Sequence, residues 1–261
     1  MIEESNIGES QPTQPEFKRW FKQLTGFDEP FKWQERLFAK LAGRDIPTAL
    51  DLPTGLGKTS VMTLWLLARA FNPELPRRLV YVVDRRAVVD QATREAEKLK
   101  DAVAALPDLA ERLGLGSLPL SVSTLRGKLA DNREWLADPT LPAIIVGTID
   151  MTGSRLLFEG YGVSRGMRPY HAGLLGADTL FVLDEAHLCP PFQALLSAVE
   201  KKIDVKARDD EARQLIPKFY LLPLSATGRS VAGEAFRLDP ADSGDETVAK
   251  RLTAKKSLAI E

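Results

Sequence analysis

Cysteine, histidine and net charge are what this chain has least of. A single cysteine, Cys189, excludes an internal disulfide framework and any zinc site built on several thiolates. Two histidines, His171 and His187, argue against a histidine-rich metal cluster within the 261 residues. Lys and Arg number 35 against 36 for Asp and Glu, a formal charge of -1. The whole molecule therefore does not attract polyanions, and any nucleic-acid surface has to be a local patch. No apolar run spans a bilayer: the most apolar window, Val61 to Phe71, is short and broken by Arg69. Met1 to Glu16 holds four Glu, no Lys or Arg and no apolar block, so it has neither part of a secretory signal. A cytoplasmic protein with no membrane contact is the expectation.

What is present suits a globular fold. Hydrophobic residues make up 44% and charged ones 27%, close to the averages for folded soluble domains. Residues 1–15 are polar, acidic and punctuated by Pro12 and Pro15, and are expected to form a disordered head. Helical spacing over Phe17–Leu24 and Phe31–Leu41 follows, divided by a Gly26/Pro30 turn. Short aliphatic runs then recur at Thr48–Leu52, Leu79–Val83, Leu120–Val122, Ala143–Val146, Leu180–Leu183 and Tyr220–Leu224. They are apolar without alternation, as strands covered on both faces are. Helical candidates lie between them at Lys58–Phe71, Arg86–Leu99, Ile149–Phe158 and Phe192–Ile203. The alternation predicts an α/β fold, a mostly parallel sheet with helices on both faces. Ligands in such folds bind beyond the carboxyl ends of the strands.

Two segments depart from the alternation, and the C-terminal part reads as a linker. Gly160–Gly176, with five glycines, Arg165, Arg168 and His171, reads as a long functional loop or lid. Asp204–Arg213 is a mixed charge run that reads as a solvated helix face or hairpin tip. Asp239–Lys256 is polar and reads as a linker. One domain over residues 16–236, followed by a linker over 237–261, is the predicted organisation.

The first strand runs into Pro53-Thr54-Gly55-Leu56-Gly57-Lys58-Thr59-Ser60, with a helix beyond. This is the strand–loop–helix setting of a phosphate-binding loop. Glycines let backbone N–H groups converge on phosphate oxygens, and the helix N-terminus adds a favourable dipole. Lys58 can reach β- and γ-phosphates, and the Thr59 hydroxyl can join a Mg²⁺ shell. The strict pattern places Gly where Leu52 stands, a departure from the motif. A later strand ends in Asp184-Glu185-Ala186-His187. Asp184 fits the strand-end carboxylate that holds Mg²⁺, and Glu185 fits a base that polarises the attacking water. The other reading of these acids is a cap on the next helix.

Further candidates gather around this pair. Ser225 and Thr227, after the last aliphatic run, could hydrogen-bond the His187 and Asp184 side chains and couple nucleotide state to a nucleic-acid face. Alone, His187 reads as a satisfied structural histidine. Gln34 has a side-chain amide able to pair with the N6 and N7 edge of adenine, as in base readout; it can also be an exposed helix residue. Phe17, 17 positions earlier, can stack on the base or pack in the core.

Taken together, Gln34, Pro53–Ser60, Asp184–His187 and Ser225–Thr227 occur in the order found in superfamily 2 helicases, which the chain resembles. Val83–Gln91, Ser123–Gly127, Gly147–Met151 and the Tyr161–Gly176 loop narrow the resemblance to the CRISPR-associated helicase–nucleases of type I interference systems, the type I-G branch in particular. The resemblance covers about residues 16–256. It implies a RecA-like P-loop NTPase domain whose cofactors are ATP and Mg²⁺. It implies a nucleotide site of Gln34, Thr54, Gly55, Gly57, Lys58, Thr59 and Ser60, with Lys58, Asp184 and Glu185 catalytic. It further implies ATP-driven 3′-to-5′ translocation on single-stranded DNA recruited through a CRISPR effector complex. Arg85, Arg86, Thr124, Arg126 and Thr148 are the implied contacts to the DNA backbone, a chemistry that positions without reading sequence. Only 34 residues follow Thr227, too few for the second RecA-like domain of such a motor. The two histidines cannot supply an HD-type nuclease.

Overall fold

A strand that is apolar on both faces needs a layer of helices on each side, and that requirement shapes the whole chain. The computed structural model describes residues 14–126, 132–206, 217–226 and 235–253. Of the segments singled out above, the acidic head up to residue 13, residues 207–213 of the charge run and Thr227 lie outside them.

Seven parallel strands form one sheet in the order β3-β4-β2-β5-β6-β1-β7. They are β1 (Leu50–Asp51), β2 (Arg78–Val83), β3 (Ser121–Leu125), β4 (Ala143–Thr148), β5 (Thr179–Leu183), β6 (Phe219–Ser225) and β7 (Phe236–Arg237). Side chains alternate between two apolar clusters. Leu79, Tyr81, Val83, Ile144, Val146 and Val182 face α1 (Gln14–Thr25), α2 (Lys32–Ala42), α3 (Val61–Phe71), α4 (Arg86–Ala104) and α5 (Pro107–Arg112). Val80, Val82, Ile145, Phe181 and Leu183 face α7 (Ile149–Leu156), α8 (Arg168–Gly176) and α9 (Pro190–Lys206) on the other side. A short α6 (Glu134–Ala137) seats Trp135 under β3. The predicted α/β architecture is the one observed.

Packing between strand and helix is tight at Gly147. A methyl group there would lie 2.7 Å from Thr152 Cγ2 and 3.0 Å from Leu125 Cβ. Overpacking of this kind costs about 1–3 kcal/mol. Gly147→Ala is therefore expected to lower the unfolding midpoint in urea by a matching amount without changing the far-ultraviolet spectrum.

Two segments differ from their sequence reading. The glycine-rich stretch is not all loop: Arg168–Gly176 forms α8, which starts with Pro169 in its first turn. Gly173 within it weakens helical propensity without preventing the helix, which tertiary packing supplies by burying Leu175 fully. The polar tail is not a free linker either. Phe236–Arg237 pairs with β1 as an edge strand, and Glu246–Thr253 forms α10. Arg36 of α2 holds this segment: its guanidinium bonds the Arg237 carbonyl at 3.0 Å, pairs with Asp239 at 3.0 Å and Asp242 at 2.5 Å, and lies over the Phe236 ring. Asp242 is almost fully buried while Arg36 keeps partial solvent access. Breaking a buried pair costs about 3–5 kcal/mol, and partial exposure reduces that. Asp242→Ala is expected to destabilise the domain by about 1–3 kcal/mol in denaturant unfolding, with Asp242→Asn losing less.

Candidate functional site

All seven strands run the same way, so their carboxyl ends bring distant residues to one edge. Leu52 follows β1 directly, is fully buried and donates its N–H to the Ser225 carbonyl at 3.0 Å. That packing role explains why a leucine, and not glycine, occupies the first position of the motif. The chain turns only beyond it, at Gly55 (φ 87°) and Gly57 (φ 75°), both in the left-handed region that glycine enters without strain. Lys58–Ser60 then form one 3₁₀ turn, and α3 starts at Val61. The predicted Lys58–Phe71 helix is thus a tight turn followed by a helix. Thr54, Gly55 and Gly57 are exposed at the surface of this loop.

Beside the loop, β5 delivers the acids. Lys58, 8% exposed, donates from Nζ to Glu185 Oε1 at 3.0 Å. Glu185 adopts the left-handed conformation (φ 47°, ψ 46°) without being glycine, a costly geometry that concentrates at functional sites. His187 Nδ1 lies 3.4 Å from Glu185 Oε2 but has no hydrogen-bond partner among the described residues. Asp184 is held on both oxygens: Oδ2 accepts from the Tyr81 hydroxyl at 2.9 Å and Oδ1 from the Glu185 N–H at 3.0 Å. Burial pushes the Asp184 carboxyl above its ordinary value, opposed by the Tyr81 bond and by the Lys58 charge. Burial also pushes the Tyr81 phenol well above its ordinary value, aided by the charge of Asp184, so Tyr81 remains a proton donor.

Gln34 is buried, not an exposed helix residue. Its Oε1 accepts from the Phe31 N–H at 2.9 Å, and its Nε2 donates to Ser60 Oγ at 2.9 Å. One lone pair and one amide proton are left over by that arrangement. Gln34, Phe31, Gly57, Thr59 and Ser60 line a cleft of about 800 Å³, and Phe27 stands at its side with 66% of its surface exposed. Phe17 is nowhere near a stacking position: it is 1% exposed and stacked on Phe38 with ring centres 3.9 Å apart. Core packing takes Phe17, and Phe27 is the aromatic side chain that borders the cleft in solvent.

Ser225 ends β6 at the same edge and is buried. Its register partner is Asp51, and its carbonyl accepts from the Leu52 N–H. The surface residues divide. Arg85 is exposed at the end of β2 and precedes α4, which begins at Arg86. Arg126, exposed beyond β3, is paired with Asp90 of α4. Thr124 exchanges a hydrogen bond with Thr93 at 3.1 Å. Thr148 caps α7, accepting from Met151 N–H at 3.3 Å, and is 8% exposed. Both threonines thus spend their hydroxyls inside the domain.

Sequence reasoning missed Tyr81. Its only signal is a hydroxyl within Arg78–Val83, a strand buried along its whole length. Among the described residues no group of three or more His, Cys, Asp or Glu side chains could cage a metal. One carboxylate and one hydroxyl beside a phosphate loop is instead the sparse donor set that suits Mg²⁺ brought in with phosphates. No helix among the described residues is long and apolar enough to cross a membrane.

Solved structures share this architecture. The Mycobacterium smegmatis helicase Lhr, bound to ssDNA and AMP-PNP, is 21% identical over 85% of this chain and 27% of its own, with a TM-score of 0.53. The yeast DEAD-box splicing factor Prp28 is 18% identical over 87% of this chain and 46% of its own (TM-score 0.51). The DUF1998 helicase MrfA, bound to DNA and AMPPNP, is 16% identical over 88% of this chain and 30% of its own (TM-score 0.53). These likenesses speak to the fold, and the chain spans less than half the length of each protein. No protein of curated function matches the sequence. The DEAD/DEAH box helicase profile, in contrast, matches residues 31–231. That match takes in the Gln34 helix, the phosphate loop, the two acids and the end of β6, and with most of the chain inside it the protein belongs to the DEAD/DEAH box helicase family, as a RecA-like motor domain of the superfamily 2 type.

Proposed function

We propose that this domain binds ATP with Mg²⁺ and couples its hydrolysis to movement on single-stranded DNA. The observation that carries the reading is the convergence of Lys58, Glu185 and Asp184 at one sheet edge, with Thr59 next to Lys58 in the same 3₁₀ turn. Gly55 and Gly57 shape the loop so that backbone N–H groups can cradle phosphates. Thr59 and Asp184 would hold Mg²⁺, which supplies charge neutralisation across the β- and γ-phosphates. Lys58 trades Glu185 for phosphate oxygens, and Glu185, released, takes a proton from the attacking water. Gln34 reads adenine with the amide capacity left free by Phe31 and Ser60, and Phe27 offers a ring beside the cleft. Ser225, His187 and Thr227 are proposed to relay nucleotide state, and Arg85, Arg86 and Arg126 to meet the DNA backbone, with Thr124 and Thr148 holding the loops that present them. The stretches from Val83 to Gln91 and from Gly147 to Met151 support a place in the CRISPR-associated branch, as the motor lobe of a helicase–nuclease.

Arginine fingers from a second lobe contribute about 10³–10⁵ in rate in related NTPases. The 261-residue chain alone is therefore expected to bind a fluorescent ATP analogue with Mg²⁺ while releasing phosphate only slowly. Fast phosphate release stimulated by single-stranded DNA would contradict this, and stimulation by RNA alone would contradict the DNA assignment. Gln34→Ala is expected to weaken ATP by about tenfold while leaving GTP less affected, because a bidentate amide–adenine pair discriminates by about 1–3 kcal/mol. Equal losses for both nucleotides would move the role of Gln34 to holding Ser60.

A further inference from the structure

The Tyr81 hydroxyl is buried in the middle of the sheet yet reaches the site that the nucleotide reading uses. Its strand neighbours at the same level are Val146 on β4 and Val182 on β5, both fully buried. A phenylalanine would fill that space equally well, so burial alone does not call for the hydroxyl. The hydroxyl is engaged: it donates to Asp184 Oδ2 at 2.9 Å. A group assigned to Mg²⁺ is thus held by a residue that comes from a different strand and lies 103 positions away.

The rest of the carboxylate is equally constrained. Oδ1 takes the Glu185 N–H, and the Asp184 N–H itself is spent on the Val82 carbonyl at 2.9 Å. Tyr81 therefore sets the last rotational freedom of the Asp184 side chain. Lys58, which binds Glu185, does not share this contact.

We propose that Tyr81 is a positioning residue that preorganises Asp184 for Mg²⁺, and so sets how strongly nucleotide binding depends on the metal. The proposal rests on the assignment of this site to ATP–Mg²⁺. Its described hydrogen bond goes to Asp184, so its effect falls on the metal-dependent part of affinity.

The test is a titration of the full 261-residue chain with a fluorescent ATP analogue, in millimolar Mg²⁺ and in EDTA, for the wild type and Tyr81→Phe. A hydrogen bond to a charged group contributes enough for about a tenfold change in affinity. Tyr81→Phe is expected to bind about tenfold more weakly in Mg²⁺, to match the wild type in EDTA, and to approach wild-type binding as Mg²⁺ is raised. Circular dichroism and thermal unfolding check that the variant is folded. A variant that loses affinity equally in both buffers, or in neither, overturns the positioning role while leaving the nucleotide site standing. A wild-type chain whose nucleotide binding ignores Mg²⁺ overturns the metal assignment, and the role of Tyr81 with it.

Discussion

Glu185→Gln is expected to keep ATP binding and to lose hydrolysis by about 10²–10⁴-fold, the contribution of a positioned general base. The amide keeps the size of the side chain but cannot take up a proton at neutral pH. Binding is expected to hold or to tighten. Lys58 donates to Glu185 Oε1 at 3.0 Å, and it has to give up that partner to reach a phosphate. Replacing the carboxylate by an amide weakens the competing contact, since bonds to an ionised acceptor are roughly twice as strong as neutral ones. The left-handed backbone at position 185 is unaffected, because Gln and Glu have the same Cβ. Single-turnover phosphate release together with equilibrium binding checks both halves. Hydrolysis at the wild-type rate would remove Glu185 from the mechanism and leave Lys58 without its stated competitor.

Lys58→Ala is expected to weaken ATP by about 10–100-fold, because a charge-assisted bond is worth about 1.5–3 kcal/mol. The position makes the loss difficult to compensate. Lys58 is 8% exposed and enters the site from the 3₁₀ turn that closes the loop, where no other described cation is bonded to Glu185. Truncation also leaves Glu185 with only the His187 contact at 3.4 Å. Glu185 is about a third exposed, so water can solvate it and the fold should hold. Thermal unfolding that stays near the wild type, beside a loss of nucleotide binding, is the expected pair of results. A large fall in the unfolding midpoint would instead mark Lys58 as structural.

The two variants separate the parts of the site that were readable in advance from those that were not. Gly55, Gly57 and Lys58 lie within four consecutive residues after a strand, and their chemistry depends on backbone geometry that such a short stretch specifies by itself. Asp184 and Glu185 were readable for a similar reason: a run of apolar residues that stops at two acids marks the end of a buried strand. Gln34 was identified, but its environment was not. Its amide is held by Phe31 and Ser60, and the helix face that is buried depends on α3, which contributes Met62 and Trp65 to the same cluster.

Phe17 and Phe27 show the limit. Both precede Gln34 and both are aromatic, and a spacing of 17 left Phe17 open between stacking on a base and packing in the core. The outcome turned on Phe38 and Phe21, which pack against Phe17 and draw it into the core. On the surface side, Thr124 bonds Thr93 and Thr148 caps α7, contacts that a linear reading does not show.

By itself, then, the sequence determined a parallel α/β domain with a phosphate loop and two strand-end acids, because each is encoded by local pattern: apolar runs, glycines at positive φ, a lysine in place. Only the tertiary structure decided that Tyr81 holds Asp184, that Arg36 ties the C-terminal segment to the Gln34 helix, and that Arg168–Gly176 is helical. Those contacts join residues far apart in the chain, up to 206 positions for Arg36 and Asp242. Their energy comes from burial and from hydrogen bonds completed across elements, which no local pattern records.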